Sequence, residues 1–202
     1  MKKYLFFIII VFILWSVFKP APKAKWSGQL APAEPTQSSY SLPAAWTKDK
    51  YIITPRARYR IQAVVLSKRK YWANGEEDAL APYDLALGWG PMSDATVINA
   101  LKISQDGRWY NYSWNNFPPI EVKNIICHSS NNHIIAATKD ILKQIKSLKR
   151  FDVVILEGYL VDVSKPDGWN WRTSLRRDDT LGGSCEIFWV DMVKTSIPPP
   201  NK

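Results

Sequence analysis

The sequence predicts a small α+β domain that is mostly β, built on a coiled antiparallel sheet and, in its specific form, an OB-like barrel. Three observations support this fold class. Runs of strand length, apolar or alternating, recur between residues 57 and 193. Two segments carry a helical pattern of apolar residues. Gly158 interrupts a long apolar run, and a glycine inside a strand marks a bend or a bulge.

An apolar segment stands at the N-terminus of the 202-residue chain. Residues 4–18 carry no charge and follow Lys2 and Lys3. They are shorter than the ~20 residues that span a bilayer comfortably. A cleaved signal peptide needs small residues after the apolar run, but Lys19 and Pro20 follow here. We therefore expect residues 1–18 to form an uncleaved signal-anchor, a transmembrane helix with its short tail in the cytoplasm, and a cleaved signal peptide is the alternative.

Composition divides the rest of the chain. Residues 19–47 contain five prolines and no hydrophobic period, which predicts an extended Pro-rich linker. The globular domain is expected over residues 48–194 and a flexible tail over 195–202. The net charge is +9, but five of the 27 lysines and arginines precede residue 26, leaving 22 against 18 acidic residues. Without a basic stripe interleaved with aromatic residues, nucleic acid is not an expected partner.

Six strands and two short helices are expected in the domain. The strands are predicted at residues 57–67, 83–90, 108–114, 120–127, 151–163 and 185–193. Ser93 is the expected N-cap of the first helix, with Asp94 in its first turn. Thr138 is the expected N-cap of the second helix, which has one apolar face.

The polar loop between the last two strands, residues 164–184, is richer in functional side chains than a turn requires. Trp169 and Trp171 stand beside Arg172, Arg176 and Arg177, and aromatic rings with guanidinium groups suit an anionic or planar ligand. The loop is therefore a predicted ligand-binding surface.

A second polar segment, HSSNNH, occupies residues 128–133 between two apolar runs. We expect a loop there, because the run joins predicted strands. Its side chains offer imidazole, hydroxyl and amide groups from His128, Ser130, Asn131, Asn132 and His133. Capping and backbone hydrogen bonds are the structural alternative. No H-E-x-x-H or paired C-x-x-C motif accompanies the histidines, so we predict neither a metal nor a cofactor.

Cys127 and Cys185 are the only cysteines, and each adjoins one of the polar segments. In an oxidising compartment we expect them to form a disulfide, with Cα atoms about 4.4–6.8 Å apart. Two unbridged buried thiols are one alternative. In the other, Cys185 is a nucleophile activated by a histidine and oriented by Asp178, Asp179 or Glu186.

The strings LALGWGPMSD (residues 85–94) and DGWNWRTSLRRDDTLGGSCE (residues 167–186) resemble a group of uncharacterised bacterial proteins that carry an N-terminal hydrophobic segment. The resemblance covers most of residues 57–193. It implies a bacterial chain in the inner membrane, single-pass, with its C-terminal domain in the periplasm or outside the cell. It implies no catalytic residue.

Two function classes remain open. In the first, a membrane-tethered envelope protein binds a polar or anionic partner, which is a glycan, a lipid head group or another protein. In the second, an envelope hydrolase uses His128 or His133 together with an acid or Cys185. The classes differ in whether an imidazole lies within hydrogen-bond reach of an acid or a thiol in a concave pocket.

Overall fold

The computed structural model describes residues 22–72, 74–179 and 184–196. The chain is mostly β, with 45% strand and 18% helix, and its main sheet is curled. Eight strands form this sheet, and a two-stranded hairpin packs against it. The predicted fold class, α+β and mostly β, is confirmed at this level.

The elements follow one another along the chain as ten strands and four short α-helices in the described residues. The strands are β1 (Thr36–Ser38), β2 (Trp46–Lys48), β3 (Tyr51–Lys70), β4 (Tyr83–Gly88), β5 (Lys102–Asp106), β6 (Trp109–Ser113), β7 (Ser129–Ala136), β8 (Val153–Ser164), β9 (Asn170–Trp171) and β10 (Glu186–Ser196). The helices are α1 (Glu76–Leu80), α2 (Ala95–Ala100), α3 (Val122–Cys127) and α4 (Lys139–Ser147), and Gly90–Ser93 forms a 3-10 turn.

The long strand β3 organises the sheet. Its first part pairs antiparallel with β8 and its last part antiparallel with β4. From β4 the pairing continues antiparallel to β7, parallel to β10 and antiparallel to β8, and so returns to β3. Register shifts at Pro55/Ala57 and Val65/Ser67 mark irregularities in β3, and such bulges bend a strand and increase its twist. These bends in β3 account for the curl of the sheet.

Gly158 of β8 is paired with Val190 of β10. Its φ is +151°, and a Cβ there would lie 1.9 Å from the carbonyl oxygen of Trp189. The register of the β8–β10 pair shifts between Val190 and Met192, next to this contact. The irregularity predicted at Gly158 is found opposite it, in β10, where Asp191 is left out of the pairing.

The largest apolar cluster fills the inner face of the curled sheet. Tyr59, Ile61, Leu85 and Phe188 are fully buried there. Helix α4 covers one end of this cluster with Ile141, Ile145 and Leu148. As predicted, Thr138 caps the helix, and its hydroxyl accepts a hydrogen bond from the Ile141 amide.

Three local predictions are wrong. Ser93 is not a helix N-cap; the cap of α2 is Asp94, whose carboxylate accepts from the Thr96 amide at 2.8 Å. Residues 120–127 are not a strand, because 122–127 form α3, and a short apolar run does not distinguish the two. Residues 128–133 are not a loop, since β7 begins at Ser129.

The predicted linker over residues 19–47 is also corrected. Trp26 and Ala31 are buried, and the Trp26 indole donates to the Ser93 carbonyl oxygen at 3.0 Å. β1 pairs with β3, so this stretch packs on the domain. Most of it is irregular chain, which is why its sequence shows no hydrophobic period. The predicted signal-anchor and residues 197–202 of the predicted tail lie outside the described residues. No helix within the described ranges is long and apolar enough to cross a membrane.

Candidate functional site

The site begins at the tip of the β5–β6 hairpin. Gly107 and Arg108 both have positive φ, as a two-residue primed turn requires. Positive φ is unfavourable for a residue other than glycine. Contacts between the Arg108 side chain and the domain hold the residue in this conformation. It donates to Asp78 at 2.6 Å, to Asp84 at 2.8 Å and to the Ala81 carbonyl oxygen at 2.9 Å. These bonds fix the hairpin on the outer face of β4 and β7.

Asp84 is the centre of the polar network on this face. Its side chain is fully buried, although the neighbouring β4 residues face the apolar core. Oδ1 accepts from Arg108 and also from Nδ1 of His133, both at 2.8 Å. Asp84 and His133 are paired across the β4–β7 register, which places the carboxylate and imidazole side by side. Because Nδ1 donates, Nε2 is the ring atom of His133 left for other partners.

Asn131 connects this network to the rest of the site. Its Oδ1 accepts from Gln105 at 2.7 Å, and its Nδ2 donates to the Arg108 carbonyl oxygen at 3.0 Å. The same amide lies 3.8 Å from the Cys185 sulfur. The polar strand β7 is therefore held by partners on β4, the hairpin and the approach to β10.

The first cavity, of about 180 Å³, opens between the β5–β6 hairpin and the polar loop before β10, which carries Arg176 and Arg177. Its aromatic side consists of Trp109, Tyr110 and Tyr112. The polar side includes the predicted residues Ser130, Asn131, Arg176, Arg177, Asp179, Cys185 and Glu186. The two polar segments identified in the sequence therefore meet in one cavity.

A second cavity, of about 420 Å³, adjoins the first and shares Trp109 and Cys185 with it. His133, Trp171 and Arg172 also line it. The Trp171 ring lies 4.8 Å from the His133 ring, measured between centroids. Together the two cavities form a composite groove, the name used below for the residues lining both.

Glu186 is the buried acid of the first cavity. Its Oε1 accepts from Arg177 at 2.6 Å, and Arg177 also donates to Gln37 at 2.7 Å. Burial raises the pKa of Glu186 to about 7, although the positive charge of Arg177 lowers it. The groove therefore changes its charge within the neutral pH range.

Asp179 and Asp178 have different environments. Asp179 accepts a hydrogen bond from the Ser174 hydroxyl at 2.6 Å. Asp178 is exposed and pairs with Arg176 at 3.0 Å. Of these two aspartates, Asp179 lines the first cavity and Asp178 lines neither cavity.

The two cysteines are not bridged. Both are free and half-buried, so the predicted disulfide is wrong. Cys185 precedes β10 and approaches Asn131, whereas Cys127 ends helix α3, four residues before Asn131 in the chain. Burial raises the pKa of Cys185 to about 12, which keeps this sulfur a thiol at neutral pH.

Some predicted site residues lie elsewhere. His128 follows α3, where Nδ1 contacts the Asn124 carbonyl oxygen at 2.8 Å and Nε2 lies 3.1 Å from Glu34. Asn132 is buried on the opposite face of β7, and its amide donates to the Ser130 hydroxyl at 3.0 Å. Trp169 packs edge-on against Tyr51, with centroids 5.9 Å apart. In the described part of the chain, none of these three side chains lines the composite groove.

Several important residues of the groove were not predicted. Arg108 lines the second cavity and is held there by Asp84, and Trp109, Tyr110 and Tyr112 form the wall of the first. One sequence signal was available, because an aspartate inside the apolar run YDLALG must find a partner if that run is buried.

The described residues bring no group of three His, Cys, Asp or Glu side chains together as metal ligands. No protein-family model, no curated protein and no solved structure matches the chain. The resemblance to a bacterial group therefore stays a prediction.

Proposed function

We propose that the chain is a membrane-tethered protein of the bacterial envelope whose β-rich domain binds a polar or anionic partner in the composite groove. The observation that carries this proposal is the meeting of Arg176 with the aromatic wall of the hairpin around one open cavity. Aromatic faces bind sugar and other ring planes, and guanidinium groups bind carboxylates and phosphates.

The sheet topology supports an OB-type barrel as the finer description of the fold. The strand order β3-β4-β7-β10-β8 returns to β3, β7 and β10 are parallel, and α4 stands between β7 and β8. OB-folds bind oligosaccharides and oligonucleotides on the face of their second and third strands, between two flanking loops. Here β4 and β7 hold the corresponding positions, and Asn131 and His133 line the groove from the outer face of β7.

The division of the groove into two adjoining cavities favours a glycan over a protein partner. A cavity of about 180 Å³ is smaller than a drug-sized site, for which about 300 Å³ is the lower limit. It accommodates one ring or one small acidic group, and the larger adjoining cavity supplies a second position. Two connected positions with aromatic walls suit consecutive units of a polar chain.

Arg176 is available to an anionic ligand. Its side chain is 71% exposed, and its partner Asp178 is 60% exposed. Exposed ion pairs contribute at most about 1 kcal/mol, so a ligand carboxylate or phosphate can replace Asp178. Arg172 also lines the groove and has no carboxylate partner among the described residues.

The tether is supported by the apolar residues 4–18 and by the absence of a cleavage site after Phe18. The intact protein should sediment with membranes and retain Met1 or Lys2 as its first residue, which N-terminal sequencing measures. A soluble form beginning between residues 20 and 34 contradicts the tether and leaves the groove proposal untouched.

Binding is tested with the purified full chain in detergent and with N-acetylglucosamine and N-acetylmuramic acid fragments as probes, measured by calorimetry. Trp109→Ala and Arg176→Ala should each weaken binding about tenfold, the equivalent of about 1.4 kcal/mol. Trp72→Ala and Arg60→Ala are the matched controls, since both side chains are exposed and lie outside the groove. Equal affinity in all four variants would reject the groove as the glycan site.

Hydrolysis is the second candidate function. The His133–Asp84 hydrogen bond of 2.8 Å lies beside Cys185 in the second cavity, an arrangement typical of a histidine oriented to activate a nucleophile. The raised pKa of Cys185 opposes it, because the thiolate is the reactive form.

Thiol reactivity separates the two functions. With an aromatic disulfide reagent at pH 7.5, both cysteines of the native chain should react slowly, and both should react at once after unfolding. A rapid native reaction that is lost in Cys185→Ser but kept in Cys127→Ser would favour hydrolysis.

A further inference from the structure

Two basic segments that are far apart in the sequence meet on one surface. The end of β3 supplies Lys68 and Lys70, and the end of α4 with the residues after it supplies the others. Lys68 Nζ joins the two segments by donating to the carbonyl oxygens of Lys146, at 2.8 Å, and of Leu148. The term basic face is used here for Lys68, Lys70, Lys143, Lys146, Lys149 and Arg150.

The positive charges of the basic face are not neutralised locally. Among the described residues, no carboxylate lies within ion-pair distance of any of its six side chains. Asp152 is the nearby acid, and its Oδ2 accepts from the Lys149 amide at 2.8 Å. Lys70, Lys143, Lys146 and Lys149 are exposed to solvent. The face therefore presents concentrated positive charge to solvent.

An exposed indole stands at the edge of the basic face. Trp72 is 71% exposed, and Lys70 Nζ lies 3.6 Å from the centroid of its ring. Tryptophan and lysine side chains prefer the boundary between lipid and water, where the ring contacts the acyl region and the amine contacts head groups. Their pairing favours a lipid surface over a protein or nucleic-acid partner.

The chain enters the domain beside this face. Trp26 packs edge-on against Phe151, with ring centroids 5.7 Å apart, and the Arg150 guanidinium lies 4.7 Å from the same ring. Trp26 lies only eight positions after Phe18, the end of the apolar segment. Eight residues span at most about 28 Å. If residues 4–18 are in the membrane, the basic face lies close to the lipid surface.

We propose that the basic face docks the domain onto an anionic phospholipid surface, with Trp72 at the lipid–water boundary. This inference rests on the proposed membrane tether for its geometry, because the short connection brings the face to the membrane. It assigns a separate ligand, the phospholipid phosphate, to a surface that is distinct from the composite groove.

The test uses the full chain in nanodiscs of phosphatidylcholine, with or without about one third phosphatidylglycerol, and amine-reactive labelling read by mass spectrometry. Lys70, Lys146 and Lys149 should label several-fold more slowly in the anionic discs. The protection should disappear in about 1 M salt, where the screening length falls to about 3 Å. Lys48 and Lys50, at the other end of β3, are internal controls whose labelling should not change.

Charge reversal provides the matched comparison. Lys146→Glu with Lys149→Glu should abolish the protection of Lys70, whereas Lys48→Glu with Lys50→Glu should leave it intact. Equal labelling in both lipids overturns the proposal, as does protection by a single-stranded oligonucleotide without any dependence on anionic lipid.

Failure of the tether gives a different result. An untethered chain does not enter the discs, and its sedimentation with phosphatidylglycerol vesicles then measures the basic face directly. Sedimentation equal to that with phosphatidylcholine vesicles overturns docking.

Discussion

One carboxylate oxygen, Oδ1 of the fully buried Asp84, accepts hydrogen bonds from both Arg108 and His133. Removing one member of a buried charged pair leaves the others unpaired and costs about 3–5 kcal/mol. We expect Asp84→Ala to lower the free energy of unfolding by that amount, measured by urea denaturation.

Asp106→Ala is the control for this substitution. Asp106 is 88% exposed and lies 3.8 Å from Arg69, so its loss should change the stability by less than about 0.5 kcal/mol. Equal effects of the two substitutions would show that the Asp84 network does not hold the hairpin.

Glu186 should make stability depend on pH. Burial raises its pKa from the usual 4.5 to about 7 in the folded chain. The folded state then binds the proton more tightly than the unfolded state, so the stabilisation is complete below pH 4.5 and is lost as the pH rises to about 7. The size of the loss is on the order of 3 kcal/mol.

The measurement is the difference in unfolding free energy between the parent and Glu186→Gln at several pH values. The parent should lose stability relative to the variant from pH 4.5 to 7, and the difference should stay constant above pH 8. A difference that does not change with pH would mean that Glu186 is ionised in the folded chain over this whole pH range.

Gly158 fixes the contact between strands β8 and β10. A side chain there meets backbone, the carbonyl oxygen of Trp189, which cannot move without breaking the strand pair. Gly158→Ala should therefore cost more than about 4 kcal/mol or prevent folding. Circular dichroism and thermal unfolding measure this.

Gly75→Ala is the matched change. Its φ of −173° is extended, and a Cβ at this position meets nothing within 4 Å. The free energy of unfolding of the Gly75→Ala variant should stay within about 1 kcal/mol of that of the parent. A mild effect at Gly158 would mean that β8 and β10 separate more easily than their pairing indicates.

The elements that the sequence predicted correctly are those with a strong period or a clear cap. β3, β8, β10 and α4 have these signals. β7 lacks them, because the polar side chains of Asn131 and His133 are buried against partners on other strands. No local pattern contains those partners, so a buried polar strand has the composition of a loop.

About half of the residues that line the groove could be predicted from the sequence. Its polar residues from β7 and from the last loop were found because each segment is unusual by itself. The aromatic wall was assigned only to a strand, since nothing in RWYNYSW shows that this hairpin folds over β7. That position depends on Arg108 reaching Asp84, a contact between residues 24 positions apart.

The described residues before β1 belong to the folded domain. Trp26 is 7% exposed and packs with Phe151 in the second apolar cluster. Trp26→Ala should lower the unfolding free energy by about 3 kcal/mol or more, the cost of removing a buried indole.

Trp72→Ala, at an indole that is 71% exposed, should change the stability by less than about 0.5 kcal/mol in the same assay. If the two substitutions had equal small effects, residues 22–35 would act as a spacer. Under the proposed tether, the domain would then stand free of the membrane, at a variable distance from it.

The position of β10 in the sheet has a consequence for biosynthesis. β10 bridges β7 and β8, yet the ribosome makes it after both. Until residues 186–196 emerge, a nascent chain exposes two strand edges that belong to its future core, and open edges recruit other chains. The β7–β10 pairings join residues more than 50 positions apart, and contacts at such separations form slowly. If the chain is exported unfolded, as the proposed envelope location implies, these edges stay open until β10 is available.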